Sequence, residues 1–320
     1  MTVAMRTRPA ALGGESGARR FKNRLATVLI TTSVLIALVP LVWVLWTVIG
    51  KGITTVTRGS WWTSTMKRVT YTDPGGGALA AIVGTLEQVG LCTVISLPIA
   101  LLVAVYLVEY GAGRRFARAT TFMVDILTGI PSIVAALFIF TLLVQVFHSA
   151  SGYLVSLALV ILMVPVIVRT SEEMLRLVPN ELREASYALG IPKWRTIMRV
   201  VIPTAFTGLI TGAVLGVARV AGETAPLLIL SGYSDSMNWN PFTGGFQGAL
   251  PTLIYDQFRN AGLTASTGSY CFDSHGGRIP CATGNFAVDR MWGAALTLIL
   301  IVLLLNVIAR LMGRFNKVAR

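Results

Sequence analysis

The loop between two long apolar stretches reads Arg183-Glu184-Ala185-Ser186-Tyr187-Ala188-Leu189-Gly190-Ile191-Pro192 and runs on to Val200-Val201-Ile202-Pro203. Three residues separate Glu184-Ala185-Ser186 from Gly190, and nine more precede Val200. The polar segment covers roughly 171–203, and the stretches on either side are long enough to cross a bilayer, which takes about 20 helical residues. The chain is therefore expected to cross a membrane on both sides of this loop.

Composition supports a membrane protein. Of the 320 residues, 54% are hydrophobic and 13% are charged, whereas soluble domains carry about 25% charge. Continuous apolar runs favour helices over barrel strands, which would alternate with a period of two. We predict an all-α membrane protein with six transmembrane helices at about 25–49, 79–108, 121–147, 154–170, 204–231 and 291–311.

The net charge of +13 is distributed unevenly along the chain. With the N-terminus in the cytoplasm, the tails 1–24 and 312–320, the loops 109–120 and 169–203, and Arg310 at the end of the last span together carry 19 of the 27 Lys and Arg residues. The external loops, including 232–290, carry 7. This bias follows the positive-inside rule and predicts that both termini are cytoplasmic. Membrane topology explains the basicity, so no nucleic-acid partner is required.

Two features predict how the spans pack. Each of spans two to five contains a proline, and glycine recurs every four residues in the fifth. Four interrupted helices suggest a bundle around a cavity, although prolines are also common in membrane helices that line none. The glycine stripe allows another helix to approach closely, either in this bundle or in a facing subunit. The prolines are Pro98, Pro131, Pro165 and Pro226, and the glycines are Gly208, Gly212 and Gly216.

Arg219 is the strongest candidate for contact with a substrate. It lies 16 residues beyond Pro203, or roughly 24 Å along a helix, and is therefore deep in the bilayer. An arginine there costs at least about 2.5–3.5 kcal/mol, so such residues face a cavity or a partner. Glu223, four residues later, is expected on the same helix face. Either the two form an intrahelical ion pair, or Arg219 offers its planar fork to an oxyanion in the pathway.

Other polar residues in or beside the spans leave alternatives open. Glu87 either lines the pathway, or forms a hydrogen bond as the neutral acid, or lies in the outer interface. Asp125 is expected to pair with Arg118 or Arg114. Thr224 offers a hydroxyl to the pathway, but threonines often bond their own helix backbone.

Three cysteines are present. Cys92 is expected to pack inside a span. Cys271 and Cys281 lie in the external loop, where an oxidising compartment permits a disulfide, and two free thiols are the alternative. With His275 as the only nearby histidine, these residues do not make up a metal site.

The loop at 184–203 resembles the "EAA loop" of permease subunits in binding-protein-dependent ABC importers, in which a short helix docks on the ATPase. The segment around Arg219 resembles the PstA-type permeases of phosphate ABC importers. The resemblance covers roughly 79–311 and is lost around 262–288, which looks like an insertion. It rests on Ala218-Arg219-Val220-Ala221-Gly222-Glu223-Thr224-Ala225-Pro226-Leu227-Leu228, on Val83-Gly84-Thr85, on Leu107-Val108-Glu109-Tyr110, and on Leu127-Thr128-Gly129-Ile130-Pro131-Ser132-Ile133-Val134.

The resemblance implies the type I ABC importer permease architecture, located in the cytoplasmic membrane of a bacterium. It implies a PstC-type permease partner, a PstB-type ATPase dimer and a PstS-type phosphate-binding protein. The substrate pathway would include Arg219, Glu223, Thr224 and Glu87. A coupling helix at about 179–190 would contact the ATPase through Glu184, Ala185, Ser186 and Gly190, with Gly190 permitting the turn after the helix.

The sequence contains no Gly-x4-Gly-Lys-Ser/Thr loop, so ATP-Mg is expected on the partner ATPase and no cofactor on this chain. It also contains no His-Glu-x2-His, which disfavours an intramembrane metalloprotease. Three competing functions stay open: a permease for sulfate or molybdate, a membrane scaffold in phosphate sensing, and an anion channel. The EAA-like loop disfavours the channel, which would need no ATPase.

Overall fold

The computed structural model describes residues 17–71, 73–145, 151–242, 245–261, 270–272, 278–280 and 285–315. The chain divides into two compact units, Met1–Ile49 and Gly50–Arg320. The first contains most of helix α1, an apolar helix long enough to span a membrane. The packing described below lies within the second unit.

The described part of the chain is helical apart from one small hairpin. The helices are α1 (Gly17–Val56), α2 (Gly59–Thr63), α3 (Leu79–Val105), α4 (Arg115–Gly129), α5 (Ser132–Ile139), α6 (Gly152–Arg176), α7 (Asn180–Ala188), α8 (Lys193–Thr196), α9 (Ile202–Ala221), α10 (Ala225–Leu230), α11 (Leu250–Arg259) and α12 (Phe286–Phe315). Wider π-helical turns extend α3 over Tyr106–Tyr110, extend α5 over Phe140–Val144 and join α8 to α9 over Ile197–Val201.

Five helical stretches in the described residues are long and apolar enough to cross a membrane. They are Phe21–Val56, Leu79–Tyr110, Gly152–Arg176, Lys193–Ala221 and Phe286–Ile308. A bent pair, Arg115–Gly129 with Ser132–Val144, makes six if it counts as one span. The predicted all-α fold with six spans is therefore confirmed.

The third predicted span, 121–147, is not one straight helix. Helix α4 begins at Arg115, earlier than predicted, and α5 turns away from it by 104°. The break falls at Ile130, whose ψ of 128° is extended, and at Pro131. Proline disfavours a helical conformation in the residue before it and has no N–H to continue the helix. One predicted kink is thus a sharp corner.

The fifth predicted span, 204–231, is also interrupted. Helix α9 ends at Ala221, and α10 starts at Ala225 with Pro226 at its second position. By contrast, Pro98 lies inside α3 and Pro165 inside α6, and both helices continue past them. The four prolines therefore have two different effects, which the sequence did not distinguish.

Helix α6 lies at the centre of the bundle. Its residues Val155, Ala158, Met163, Ile167 and Val168 are completely buried. The same core includes Cys92 and Ala100 from α3 and Leu227 and Leu230 from α10. Cys92 packs with its sulfur 3.5 Å from that of Met163, as expected for a buried packing residue. A helix that is apolar on most sides is suited to this central position.

The glycine stripe of α9 packs against α6 within this chain. A Cβ on Gly208 would lie 2.5 Å from the sulfur of Met174, and one on Gly216 would lie 2.9 Å from Ile167. Gly212 faces Thr170 at still closer range. Of the two partners considered for the stripe, the one observed is a helix of the same bundle.

Strands β1 (Tyr270–Phe272) and β2 (Arg278–Pro280) form an antiparallel hairpin in which Cys271 is opposite Ile279. The hairpin lies inside the segment 262–288, where the family resemblance is lost. Cys281 and the side chain of Cys271 lie outside the described residues, so their predicted disulfide stays a prediction.

Candidate substrate pathway and coupling surface

Arg219 and Glu223 do not lie on one helix face. Helix α9 ends at Ala221, and Glu223 closes a turn by donating its N–H to the carbonyl of Val220 at 3.1 Å. Arg219 is exposed and Glu223 half-buried. Within the described part of the chain, the two side chains form no ion pair. The intrahelical pair considered from the sequence is therefore absent, because the helix ends before it can form.

Arg219 occupies the last turn of the long helix that begins at Lys193. A cation is favourable there because carbonyl groups at the helix end carry partial negative charge. A cavity of about 560 Å³ lies beside it, lined by Ala218, Gly222 and one side of α12. Arg219 does not line that cavity. Since it forms no ion pair with the described residues, its guanidinium group is free to bind a ligand or a partner protein.

Glu87 belongs to a polar network on the inner side of α3. The side-chain amide of Gln247 donates to the Glu87 carboxylate at 2.5 Å, and Gln88 donates to the Gln247 oxygen at 3.0 Å. Gln88 and Gln247 are both 1% exposed, while Glu87 is half-buried. Of the three roles considered for Glu87, hydrogen bonding is observed, here as an acceptor. The sequence analysis did not predict a role for either glutamine, since an uncharged amide, in a span (Gln88) or in a loop (Gln247), gives little signal.

This network attaches the segment before α11 to the bundle. Ser231 accepts a hydrogen bond from the N–H of Gln247 and donates one to its carbonyl, both at 2.9 Å. Thr85 accepts from the N–H of Leu250 at 2.8 Å. Thr224 is half-buried and occupies the N-cap position of α10, but its side chain makes no capping hydrogen bond. Among the described residues, Glu87 makes no hydrogen bond or ion pair with Arg219, Glu223 or Thr224, so the structure does not bring the predicted pathway residues into one cluster.

The predicted coupling helix is observed as α7, Asn180–Ala188, within the expected 179–190. Gly190 has a positive φ of 74°. Its N–H donates to Tyr187 at 2.9 Å, and the N–H of Ile191 donates to Ser186 at 3.2 Å. This pair of bonds is a Schellman motif, which favours glycine at this position. The predicted turn at Gly190 is confirmed.

The faces of this helix differ sharply. Glu184 and Ala185 are exposed, whereas Ser186 is 5% exposed and its hydroxyl lies 2.8 Å from that of Thr196. Ser186 therefore closes the turn between α7 and α8 from inside, and its predicted role in ATPase coupling stays a prediction. Large apolar side chains nearby are exposed, as expected of an interaction surface. They are Leu177, Leu182, Tyr187, Leu189, Trp194 and Met198.

Gly190→Ala is expected to loosen the end of α7. A left-handed residue with a Cβ costs about 1–2 kcal/mol, and no atom lies within 4 Å to complicate the effect. The amides of α7 should exchange with solvent about 5–30 times faster, as measured by hydrogen exchange. Gly190→Asn is the control, because asparagine tolerates this conformation and should have a smaller effect. Equal exchange in both variants would contradict this explanation.

Asp125 pairs with Arg169, and the predicted pairing with Arg118 or Arg114 is wrong. Arg169 also contacts Glu172 at 3.0 Å, and Arg176 contacts Glu172 at 2.6 Å. The chain of charges links α4 to the C-terminal part of α6. The predicted partners were arginines close to Asp125 in the chain. In the structure α4 packs against α6, and the partner of Asp125 comes from α6.

An acidic and aromatic cluster lies outside the membrane-spanning helices and comprises Tyr71, Tyr233, Asp235 and Asp256. Burial raises the pKa of Asp256, with a further contribution from the nearby charge of Asp235. Burial likewise raises the pKa of Tyr233 and of Tyr71. These groups are thereby biased toward their neutral forms, and we assign them no part in transport.

The geometry is that of a membrane-spanning helical bundle with a short exposed helix between two spans, and comparison with known proteins identifies its family. A model of the binding-protein-dependent transport system inner membrane component family matches residues 96–316. The chain belongs to this family, and within it to the PstA type. The phosphate transport system permease protein PstA 1 of Mycobacterium tuberculosis (strain CDC 1551 / Oshkosh) is 49% identical over 303 residues, covering 94% of this chain and 91% of the relative.

A second relative supports the same assignment, and two solved structures share the fold. PstA of Mycobacterium leprae is 50% identical over 289 residues, covering 90% of this chain and 87% of its own. One structure is a bacterial alginate ABC transporter in complex with a periplasmic protein that holds an alginate pentasaccharide. A chain of this transporter matches with a TM-score of 0.62 and 14% sequence identity, and the match covers 92% of this chain and 96% of that chain. A chain of the inward-facing MetNI methionine ABC transporter matches with a TM-score of 0.55 and 18% sequence identity, and the match covers 74% of this chain and 94% of that chain. These structures share the type I importer permease fold.

Proposed function

We propose that this chain is a transmembrane subunit of an ATP-driven importer that carries inorganic phosphate across the cytoplasmic membrane of a bacterium. Its partners are a PstC-type permease, two PstB-type ATPase subunits and a PstS-type binding protein. Both termini lie in the cytoplasm, as the distribution of Lys and Arg predicts. The phosphate assignment is supported by relatives at 49–50% identity that are named phosphate permeases.

Arg219 is the observation that carries the anion part of this proposal. It is exposed near the far end of a span and has no carboxylate partner in the described residues. In lipid this would be costly, so the guanidinium needs water or a facing subunit around it. A pathway between two permease subunits supplies both, and the planar fork of Arg219 can donate two hydrogen bonds to an oxyanion crossing it.

The second part of the proposal is the coupling to ATP hydrolysis. Helix α7 presents Glu184 and Ala185 to the solvent, with apolar side chains around them. ATP-Mg binds to the partner ATPase, and closure of that dimer moves α7 and the attached spans. Transport is then by alternating access, with the pathway open first to the binding protein and then to the cytoplasm.

The test is ATP-dependent uptake of labelled phosphate into vesicles that contain the assembled complex, with binding protein added. Uptake blocked by unlabelled phosphate, and not by sulfate or molybdate, is the expected result. Strong inhibition by sulfate or molybdate would mean a permease for another oxyanion. Uptake without ATP would mean a channel, and no uptake at all would favour a scaffold in phosphate sensing.

Glu184→Lys is expected to weaken docking of the ATPase and to lower uptake about tenfold, because a reversed charge at an interface costs on the order of one or more kcal/mol. Copurification of the ATPase with the permease and phosphate uptake are the two measurements. Glu173→Lys, on an exposed position of α6, is the matched control. If Glu184→Lys copurifies and transports as the wild type does, Glu184 does not contact the ATPase.

A further inference from the structure

A cluster of charges with a largely buried ion pair at its centre joins the coupling helix to the cytoplasmic end of α3. We call Glu109, Arg183 and Lys193 the ionic clamp. The Nε and a terminal nitrogen of Arg183 lie 3.1 and 3.0 Å from the same carboxylate oxygen of Glu109. The side chains are only 13% and 4% exposed. A charge pair held so far from water is expected to be rigid, because separating it would leave an uncompensated buried charge.

Arg183 also binds the end of α6. It donates to the carbonyl of Leu175 at 2.9 Å and to that of Val178 at 2.6 Å. These carbonyls lie at and just past the C-terminus of α6, where helix carbonyls lack partners within the helix. One guanidinium group therefore joins three segments of the chain: α7, the end of α6 and the end of α3.

Lys193 reaches the same point from the other side of the coupling turn. Its amino group donates to the backbone carbonyl of Glu109 and lies 4.8 Å from the centre of the Tyr110 ring. Glu109 is thus held from α7 through its side chain and from α8 through its backbone. Helix α7, the turn at Gly190 and helix α8 together form a helical hairpin, which we call the coupling hairpin, and both of its helices contact the end of α3.

The hairpin itself is held together. Its arms are joined by the buried hydroxyl pair of Ser186 and Thr196 and by the Schellman motif that ends α7. A buried apolar cluster surrounds the base of the hairpin and includes Ala104 of α3, Leu175 of α6 and Ala205 of α9. Closely packed interiors transmit displacement with little give.

Helix α3 carries this point of attachment to the opposite side of the bundle. Between Glu109 and Glu87 the chain is helical throughout, with a π-helical turn at its end. The 22 residues correspond to roughly 33 Å. At its far end, Glu87 accepts the hydrogen bond from Gln247, which lies in the segment attached to the bundle by Ser231 and Thr85.

We infer that the ionic clamp makes the coupling hairpin and α3 move as one body, so that Glu109 and Arg183 are positioning residues that transmit ATPase closure to the Glu87–Gln247 contact. The inference rests on the proposed function and adds the route by which the force crosses the membrane. Neither residue contacts the substrate or the nucleotide in this scheme. Their loss should therefore separate ATP hydrolysis from transport and leave the complex assembled.

The experiment uses the full complex in proteoliposomes with binding protein and measures phosphate uptake and ATP hydrolysis in parallel. Glu109→Gln keeps the shape and removes the charge. We expect uptake to fall on the order of tenfold, because a charge-assisted hydrogen bond is about twice as strong as a neutral one and both partners are buried. ATP hydrolysis should stay within about twofold of wild type, since the ATPase contacts on α7 are unchanged. The number of ATP hydrolysed per phosphate then rises.

Glu173→Gln is the control, because it removes a carboxylate from an exposed position of α6 near the same end of the bundle. It should leave the ratio of ATP to phosphate unchanged. Arg183→Lys is the second variant, since it keeps the charge and loses the fork that reaches Glu109 and the α6 carbonyls together. It should raise the ratio less than Glu109→Gln does.

Each outcome decides the question. Uptake and hydrolysis that fall together in both variants, or complexes that fail to assemble in both, would mean that the clamp is only structural. An unchanged ratio in Glu109→Gln would equally overturn the inference. The wild-type complex separates this from the proposed function: if it takes up no phosphate with ATP, the proposed function fails, and if it does, only the role of the clamp is at issue.

Discussion

Arg219→Ala is expected to reduce ATP-dependent phosphate uptake about a hundredfold while the complex still assembles. A hydrogen bond to a charged group contributes on the order of 1.5 kcal/mol or more, so losing both donors of the guanidinium removes about 3 kcal/mol of anion stabilisation, and this slows its passage about a hundredfold. Assembly should survive because the Arg219 side chain makes no ion pair or hydrogen bond with the described residues. Uptake into vesicles and copurification of all subunits are the measurements.

Arg219→Lys is the matched control for the geometry of the guanidinium. It keeps the positive charge and loses the two parallel donors, so uptake should be intermediate, roughly tenfold below wild type. Glu223→Gln tests the neighbouring carboxylate, which does not pair with Arg219 here and should be less sensitive than Arg219→Ala. Wild-type uptake in Arg219→Ala would remove Arg219 from the mechanism.

Gly84→Ala is expected to have the largest effect on stability. A Cβ on Gly84 would fall well inside van der Waals contact with the backbone carbonyl of Gly248. That carbonyl cannot rotate away as a side chain could, so α3 or the segment around Gln247 has to move. Overpacking of a closely packed site costs about 1–3 kcal/mol and occasionally more. Thermal unfolding of the purified complex in detergent should show a clear decrease in Tm.

Gly90→Ala provides the control on the same helix. No atom lies within 4 Å of a Cβ at Gly90, so only the helix propensity changes, which favours alanine by about 0.5–1 kcal/mol. The two variants should therefore move the Tm in opposite directions. A Gly84→Ala complex as stable as the wild type would show that the close approach of Gly248 is not maintained in solution.

The arrangement of spans and the coupling helix could be predicted because both depend on local properties. A run of about 20 apolar residues is long enough to cross the bilayer wherever it occurs. The helix before Gly190 and the left-handed glycine follow from residues within one turn of each other. The burial of Ser186 was not local, since it depends on Thr196 across the hairpin.

The breaks in two spans could not be predicted, because proline in a membrane helix either bends it or ends it depending on what satisfies the freed carbonyls. Pro165 stays inside the buried helix α6, whereas Pro131 marks a corner of 104°. The break after Ala221 in turn removed the expected pair of Arg219 with Glu223. Sequence distance alone placed them on one face, and the end of the helix separated them.

By itself, the sequence determined a membrane protein of six apolar helices, with a polar loop that contains a short helix and a glycine turn, since hydrophobicity, charge bias and turn chemistry act over short distances. The tertiary structure alone decided which charged groups meet. Glu109 and Arg183 are 74 positions apart, and Asp125 and Arg169 are 44 apart. Their pairing results from the way the helices pack, because buried charges must find partners wherever the fold brings them.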